Sequence, residues 1–398
     1  MHIESNEFSA TGYWSEGFDE AGLQGWAEQL RARLGQPTVT LGLVFMSPQF
    51  FPQAAQVLEI LQVHAKIKTL VGCSSGTLIL GGREMEDQPG IVLGLYQLPG
   101  AVLTPFRLTQ AQVEEANGPG YWHHETGVLP EQSNGWLVFA DPFHLDGEAW
   151  LQSWNEAYAP LPIVGGMASG NPADQQTQIY FNGEVWEDGG IGVSFGGKVR
   201  LAGVISQGCT PIGETWTITK ADGNLIHEIG NRPAYQVLAE TFNKLPRDQQ
   251  KRAQGNLFVG LVINEYQEEF HRGDFLIRNL MGGDPSSGVL AVGARPRAGQ
   301  SLQFQCRDAA AATEDMIALL RRARSETRSK PVYGGCLCCC NGRGQRLFGA
   351  PNHDASLAQD HLGPLGLTGF FCNGEIGPVG TRSFLHGYTA SLALFVAK

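Results

Sequence analysis

Two turns of small residues contain side chains that could act as nucleophiles or bind a ligand. The first, residues 72–76, reads Gly-Cys-Ser-Ser-Gly and matches the G-x-S-x-G motif, which holds a reactive serine beside oxyanion-binding amides. That motif needs a helix directly after the serine, whereas residues 77–82 (Thr-Leu-Ile-Leu-Gly-Gly) are not helix-like. The sequence assigns no base to Ser74 or to a nucleophilic Cys73. We therefore expect a protein that is not an enzyme; a hydrolase acting through either residue is the alternative.

The second turn, residues 165–170, reads Gly-Gly-Met-Ala-Ser-Gly and belongs to a repeat. Leu43 begins an apolar run 29 residues before Gly72, and Leu137 begins one 29 residues before Gly166. Small residues suit sharp turns where backbones pass closely, and such turns also expose amides and hydroxyls that hold small polar ligands. We predict a ligand site at these turns, with a purely structural role as the alternative. Its members from this half of the chain are Cys73, Ser74, Ser75, Gly76, Ser169 and Gly170.

Polar residues in glycine-rich segments near the C-terminus extend the predicted site. An arginine and a glutamate suit a zwitterionic ligand, because the guanidinium binds a carboxylate and the glutamate binds an ammonium. Arg343 and Glu375 are the candidates, and a structural salt bridge between them is the alternative. A single histidine such as His386 is more often structural than ligand-binding. The C-terminal members are Asn341, Arg343, Asn373, Glu375, Arg382 and His386.

The eight cysteines, three of them consecutive, do not follow the pattern of a secreted disulfide framework. Alternate side chains of a strand face opposite ways, so Cys336, Cys338 and Cys340 should share one face and Cys339 the other. Structural zinc and iron–sulfur sites usually draw on cysteine pairs in loops, so we predict no metal in this strand-like run. Buried thiols are expected, and a redox-sensitive cluster that includes Cys372 is the alternative.

The elements that position these groups repeat along the chain. Each unit reads strand, helix, strand, small-residue turn, strand; two copies are clear, a weaker third spans 336–395, and a fourth, the loosest, spans 256–293. This pattern predicts an α+β fold of mixed, mainly antiparallel sheets flanked by helices, in two related domains. We expect an N-terminal arm and helix at 1–35, a first domain at 36–228 and a second domain at 229–398.

Composition excludes several classes of protein. The 398 residues include 28 Lys and Arg against 39 Asp and Glu, a net charge of −11, which does not fit a nucleic-acid-binding surface. No apolar run approaches the roughly 18 residues that span a bilayer, and the first residues lack the features of a secretory signal. We therefore predict a cytoplasmic protein that neither binds nucleic acid nor inserts into a membrane.

Five segments together resemble the FIST family, whose paired N- and C-terminal modules occur in signal-transduction proteins. The resemblance extends from about Thr38 to Phe395, with its most specific part at the C-terminus. It implies a FIST N-like domain at 36–228, a FIST C-like domain at 229–398, and an intracellular sensory role. The segments are 71–76, 165–170, 340–344, 369–377 and 384–387.

The resemblance also implies a small ligand, such as an amino acid, and a signalling partner in trans, a histidine kinase or cyclase-type protein. Eukaryotic members are tied to ubiquitin-ligase machinery, and some bacterial members to haem and nitric oxide. We see no F-box or kinase segment, so we expect the output in a partner chain. Our hypothesis is a ligand sensor without a cofactor. The alternatives are a haem-binding nitric-oxide or redox sensor and a ligand-free interaction scaffold.

Overall fold

A computed structural model describes residues 2–171, 173, 175–267 and 269–398. The chain forms two compact units. The first unit comprises Met1–Ile205, Met316–Leu385 and Thr389–Lys398, and the second comprises Ser206–Asp315 with His386–Tyr388. These units cut across the predicted division at 228/229, which stays a prediction. The third repeat copy causes the difference, because it packs with the first two copies although the second unit separates them in sequence.

Twenty-six strands and ten α-helices are present in the described residues. The strands are β1 (His2–Ser5), β2 (Ser9–Trp14), β3 (Val39–Met46), β4 (Ile67–Ser74), β5 (Leu78–Leu80), β6 (Arg83–Met85), β7 (Ile91–Tyr96), β8 (Ala101–Leu108), β9 (Trp136–Ala140), β10 (Ile163–Met167), β11 (Ile179–Phe181), β12 (Glu184–Trp186), β13 (Gly190–Gly197), β14 (Val199–Gln207), β15 (Cys209–Asp222), β16 (Leu225–Ile229), β17 (Arg232–Pro233), β18 (Leu257–Val262), β19 (Phe275–Asp284), β20 (Val289–Val292), β21 (Ser301–Arg307), β22 (Val332–Cys340), β23 (Leu367–Cys372), β24 (Gly374–Val379), β25 (Arg382–His386) and β26 (Thr389–Ala397). The helices are α1 (Glu20–Leu34), α2 (Ala54–Ala65), α3 (Gln110–Glu115), α4 (Pro119–Thr126), α5 (Gly147–Tyr158), α6 (Ala234–Lys244), α7 (Arg247–Ala253), α8 (Ala309–Thr327), α9 (Gln345–Phe348) and α10 (His353–Leu362).

The first unit contains the predicted repeat three times. In each copy two parallel strands flank a helix, and a later strand pairs antiparallel with the first of them. The resulting strand orders are β7-β3-β4, β13-β9-β10 and β26-β22-β23, with α2, α5 and α10 as the connecting helices. Antiparallel pairs predominate in all sheets, so the predicted mixed, mainly antiparallel α+β fold is confirmed.

The three copies exchange strands in a cycle. The hairpin that follows each turn pairs with the sheet of another copy: β5 with β23, β11 with β4, and β24 with β10. Each copy therefore completes the sheet of one neighbour and is completed by the other. Because none of these three sheets is complete without a strand from another copy, the three copies form one unit.

The second parallel strand of each copy contains a glycine that lies very close to the backbone of the first parallel strand. A Cβ at Gly72, Gly165 or Gly369 would lie 1.7, 1.8 or 1.9 Å from the carbonyl oxygen of the paired residue on the first strand. Such distances exclude any side chain. Gly165 is thus the structural equivalent of Gly72. The 29-residue spacing in the sequence matched Gly166 to Gly72 and was wrong by one residue, because equal spacing along the chain does not ensure equal strand register.

A triangle of aromatic rings fills the centre where the three copies meet. Phe45 and Phe139 come from equivalent positions of two copies, and Phe370 comes from the third; their ring centroids lie 4.8–5.8 Å apart. Cys336 and Cys338 pack into this central core, whereas Cys339 packs into the separate core on the other side of its sheet. The predicted alternation of these cysteines is confirmed.

The second unit is a closed ring of six antiparallel strands. The order is β15-β21-β18-β19-β20-β16, and β15 pairs again with β16 to close the ring. The predicted fourth copy at 256–293 is wrong, because β18 and β19 form an antiparallel pair without a connecting helix. The short strand β17 pairs in addition with the end of β16, next to the ring.

The N-terminal residues extend the first sheet. The predicted arm forms β1 and β2, and β2 pairs with β7. Helix α1 ends at Gly35 in the left-handed conformation, with φ of 69°, as the sequence predicted. Within the described residues, no helix is both long enough and apolar enough to cross a bilayer.

The crowded glycines give a direct test of the repeat. We expect Gly72→Ala to lower the free energy of unfolding by about 3 kcal/mol or more, because the paired strands must separate to admit a methyl group. The matched control is Gly25→Ala in α1, where the space around the glycine is open and alanine should stabilise the helix by up to about 1 kcal/mol. Urea denaturation measures both; equal effects would contradict the assignment.

Candidate functional site

The turns of the three copies, at residues 72–76, 165–170 and 371–374, meet at one place, which we call the junction. Serine hydroxyls there bind backbone carbonyls of other copies. The Ser169 amide donates to the carbonyl oxygen of Ser74 at 3.1 Å, and the Ser74 hydroxyl donates to the carbonyl oxygen of Ser169 at 2.8 Å. The hydroxyls of Ser75 and Ser169 lie 2.8 and 2.6 Å from the carbonyl oxygen of Phe371 and bind it. All three serines are buried. The three serine side chains therefore lie together, as the sequence predicted. In the structure they form hydrogen bonds that connect one copy to another.

Two asparagines and two glycines form the accessible rim of this junction. The Asn373 side-chain amide donates to the carbonyl oxygen of Ala168 at 3.0 Å, and that of Asn341 donates to Asn373 Oδ1 at 2.8 Å. Gly76, Asn341 and Asn373 are exposed and Gly170 is partly exposed. Ligand binding by these four residues stays a prediction.

Neither candidate nucleophile is activated. The Ser74 hydroxyl accepts from the Gln178 amide at 2.9 Å while it donates to a carbonyl oxygen, so no basic side chain contacts it among the described residues. Burial raises the pKa of the Cys73 thiol well above its ordinary value, which keeps it protonated and unreactive. The geometry does not favour acyl transfer at this turn.

Arg343 does not reach the junction as a ligand group. It is buried and forms a two-point ion pair with Asp354, with Nε to Oδ2 at 2.6 Å and Nη2 to Oδ1 at 2.8 Å. Burial alone would raise the pKa of Asp354, but the guanidinium holds it well below its ordinary value. The prediction that Arg343 binds a ligand carboxylate or pairs with Glu375 is therefore corrected. The actual partner lies 11 residues further along, at the start of α10.

Glu375 is also internal. The carboxylate is fully buried and accepts hydrogen bonds from the Thr389 amide and hydroxyl, at 3.0 and 2.8 Å, and from the Cys372 thiol at 3.1 Å. Burial raises its pKa to about 7, against hydrogen bonds that lower it. It is inaccessible to a ligand ammonium, so the predicted role is corrected.

Two further predicted residues lie away from the turns. Arg382 is exposed at the start of β25, whereas the hairpin's other strand begins at the junction with Gly374; at about 3.3 Å per residue, the length of β24 separates them by more than about 15 Å. His386 is buried and belongs to the second unit. Neither joins the junction residues.

Sequence reasoning missed Glu84. This buried glutamate on β6 accepts hydrogen bonds from the amides of Asp354 and Ala355 at the start of α10, both at 3.0 Å, while its Oε2 has no hydrogen-bond partner in the described residues. Burial, followed by the nearby charge of Asp354, raises its pKa to about 7. No local signal could reveal it, because Glu84 and Asp354 are 270 residues apart in the chain.

The sequence also missed a cavity in the second unit. Its volume is about 220 Å³, and its walls come from the start of β15, helix α7 and the end of β21. The lining residues are Thr210, Pro211, Ile212, Leu245, Gln249, Arg252, Ala253, Cys306 and Asp308. This combination of apolar wall and few polar groups is typical of a small-molecule site.

A loosely matched pair of charges faces this cavity. Arg252 Nη1 and Asp308 Oδ2 lie 3.7 Å apart, which is too long for a hydrogen bond. The second nitrogen and the second oxygen of this pair do form hydrogen bonds. Arg252 Nη2 donates to Asp248 at 2.9 Å, and Asp308 Oδ1 caps α8 by accepting from the Ala310 amide. The buried Thr210 hydroxyl has no hydrogen-bond partner in the described part of the chain. A cation and an anion therefore keep bonding capacity at one small cavity.

Comparisons with known proteins agree with this architecture. The model of the FIST N domain matches residues 40–232, and that of the FIST C domain matches residues 234–378. The chain belongs to the FIST family. The suspected family is therefore confirmed, and FIST domains are sensory domains of signalling proteins.

An uncharacterized protein of Mycobacterium tuberculosis is 36% identical to this FIST protein over 371 residues, which cover 93% of this chain and 94% of that protein. The F-box/LRR-repeat protein of Arabidopsis thaliana is 31% identical over 130 residues, 29% of this chain and 25% of that protein. Among solved structures, cyanuric acid hydrolase from A. caulinodans aligns over 98% of this chain and 99% of its own with 9% identity. Its TM-score of 0.40 is too low to carry an argument.

The buried ion pair predicts a large stability effect. Arg343→Met should lower the free energy of unfolding by about 3–5 kcal/mol, because it removes the guanidinium and leaves the buried Asp354 carboxylate with the His353 ring, at 3.1 Å, as its nearest remaining side-chain partner. The double variant Arg343→Met/Asp354→Leu should recover much of the loss. Arg322→Met is the control, since Arg322 forms an exposed ion pair with Glu326 and should change stability little. A stable Arg343→Met protein would overturn the structural role.

Glu375 predicts a pH-dependent stability. The pKa of this carboxyl is about 7 in the folded state and 4.5 in the unfolded state. Its contribution to the free energy of unfolding therefore falls as the pH rises from 4.5 to 7 and is constant above pH 7. The loss amounts to about 3 kcal/mol at 1.36 kcal/mol per unit. Glu375→Gln has no such titration, so its stability relative to the parent should rise over this interval. Urea denaturation at several pH values measures it; parallel curves would contradict the raised pKa.

Proposed function

We propose that this FIST protein is a non-enzymatic sensor that binds a small zwitterionic metabolite, of the size of an amino acid, in the cavity of its second unit. The observation that supports it is the pair of Arg252 Nη1 and Asp308 Oδ2, which face the cavity 3.7 Å apart without a hydrogen bond. A ligand carboxylate would bind the guanidinium, and a ligand ammonium would bind the aspartate.

The size and walls of the cavity support a small ligand. A volume of about 220 Å³ lies below the roughly 300–1,000 Å³ of sites for drug-sized molecules. Ile212, Leu245 and Ala253 offer an apolar wall for a short aliphatic side chain. The ligand would replace the loose Arg252–Asp308 contact with two well-formed charge-assisted hydrogen bonds.

The haem-binding alternative stays a prediction, and the cavity in the second unit does not support it. The same cavity is too small for a macrocycle, and seven of the eight cysteines are buried in packed cores. No group of three or more His, Cys, Asp or Glu side chains suited to a metal ion occurs in the residues that the structure describes. We therefore base no step of the proposal on haem. A signalling partner in trans, of the histidine-kinase or cyclase type, is part of the proposal on family grounds.

The test is a thermal-shift screen of the full chain against amino acids and related small acids. A ligand at about 100 times its dissociation constant should add about 2.7 kcal/mol of stability. Arg252→Met and Asp308→Asn should each weaken binding by tenfold or more, since each removes a charged partner worth about 1.5–3 kcal/mol. Asn at 308 keeps the oxygen that caps α8, so the fold should survive.

Two control variants make the result specific. Arg247→Met changes an exposed arginine on the same helix that does not line the cavity, and it should leave binding unchanged. Asn341→Ala changes the rim of the junction. Equal binding by the Arg252 and Arg247 variants would contradict the cavity site, and loss of binding in the Asn341 variant alone would move the ligand to the junction. No shift with any compound would favour the scaffold alternative.

A further inference from the structure

Two cysteines lie side by side where β22 and β23 end. Cys340 and Cys372 are paired residues of these parallel strands. Neighbouring strands are about 4.8 Å apart, within the roughly 4.4–6.8 Å between Cα atoms that a disulfide spans. Paired residues of parallel strands project from the same face of the sheet. The backbone therefore places both side chains on one face of the sheet, with their Cα atoms at a separation that a disulfide spans.

The two thiols differ in access to solvent. Cys340 is partly exposed at the end of its strand, next to the exposed Asn341, whereas Cys372 is fully buried. All eight cysteines lie in the described residues, and the other seven are buried. An oxidant in solution would therefore reach Cys340 first, and Cys372 is positioned to react with the oxidised product.

A carboxylate contacts the buried thiol. Cys372 Sγ donates to Glu375 Oε1 at 3.1 Å, and the Thr389 amide and hydroxyl hold the other carboxylate oxygen in place. Burial, and then the charge of Glu375, raises the pKa of the Cys372 thiol well above its ordinary value. The thiol thus stays protonated at rest, and the carboxylate is in position to take its proton when the sulfur reacts.

We propose that Cys340 and Cys372 form a reversible disulfide in response to a hydroperoxide. Cys340 Sγ attacks the peroxide oxygen; the O–O bond breaks, and Cys340 becomes a sulfenic acid as its proton leaves with the departing oxygen. Cys372 Sγ then attacks the Cys340 sulfur, forming the S–S bond as the S–O bond breaks. Glu375 takes the Cys372 proton and passes it to the departing hydroxide, which leaves as water. The peroxide gains two electrons, and the two thiols lose them.

Peptide mapping of the full chain treated with hydrogen peroxide tests this proposal. After alkylation and digestion without reductant, mass spectrometry should find a peptide containing Cys340 linked to the peptide containing Cys372, and dithiothreitol should abolish it. Fragmentation distinguishes Cys340 from Cys336, Cys338 and Cys339, which share its tryptic peptide. Absence of the link in folded protein, or a link that maps to Cys338, overturns the proposal.

Variants separate the two steps. Cys372→Ser should trap the sulfenic acid at Cys340, which dimedone labels, and Cys340→Ser should leave Cys372 reduced and unlabelled. Cys338→Ala, on the same face of the strand, is the control and should leave the link intact. Persistent oxidation of Cys372 in the Cys340→Ser protein would overturn the order of attack.

Glu375→Gln tests the base. It should slow disulfide formation about tenfold or more, prolong dimedone labelling of Cys340 and remove the pH dependence of the rate near neutrality. A merely structural role would not remove that pH dependence. An unchanged rate and pH profile would overturn the assignment of Glu375.

Discussion

The first unit depends on a close contact between parallel strands that only glycine permits. At Gly72, Gly165 and Gly369 the neighbouring carbonyl oxygen occupies the space of a Cβ. This contact recurs once in each copy, just before the turn. Because the strands are in contact there, the three turns converge on the junction, and the serine hydroxyls of one copy reach the carbonyls of another. The central phenylalanines fill the space beneath.

Three buried carboxyl groups lie at the contacts between copies, and they differ in their ionisation. Asp354 has a guanidinium as its partner and is ionised. Glu84 and Glu375 accept hydrogen bonds but contact no cation among the residues that the structure describes, so burial raises their pKa values to about 7. Glu84 connects the hairpin of the first copy to the helix of the third, and Glu375 lies on the hairpin that the third copy donates to the second. Protonation near neutral pH therefore acts at contacts between copies rather than at an isolated site.

The two units use their polar groups differently. In the first unit the serine hydroxyls, Arg343 and Glu375 have partners within the chain, so they stabilise the association of copies. In the second unit Arg252 and Asp308 face a cavity without a hydrogen bond to each other. The proposed function uses both properties: the first unit would be the stable framework, and a ligand would complete the bonds of Arg252 and Asp308. Such a ligand would shift the populations of two states only by its different affinity for them.

The sequence by itself determined the family, the repeated strand-helix-strand unit, the α+β class and the alternation of Cys338 and Cys339, because periodicity and turn chemistry are local. It also indicated that Ser74, Ser75 and Ser169 lie together, since equivalent turns of a repeat meet at one end of its sheets. It did not indicate which residues these side chains contact.

Only the tertiary structure decided the contact partners of the buried charged residues. The pairing of Arg343 with Asp354, the contact of Glu84 with α10 and the cavity at Arg252 depend on cyclic strand exchange, on helix placement and on ring closure. These bring residues together without any trace in their spacing. The one-residue error at Gly166 has the same physical origin: backbone pairing, and not distance along the chain, sets strand register.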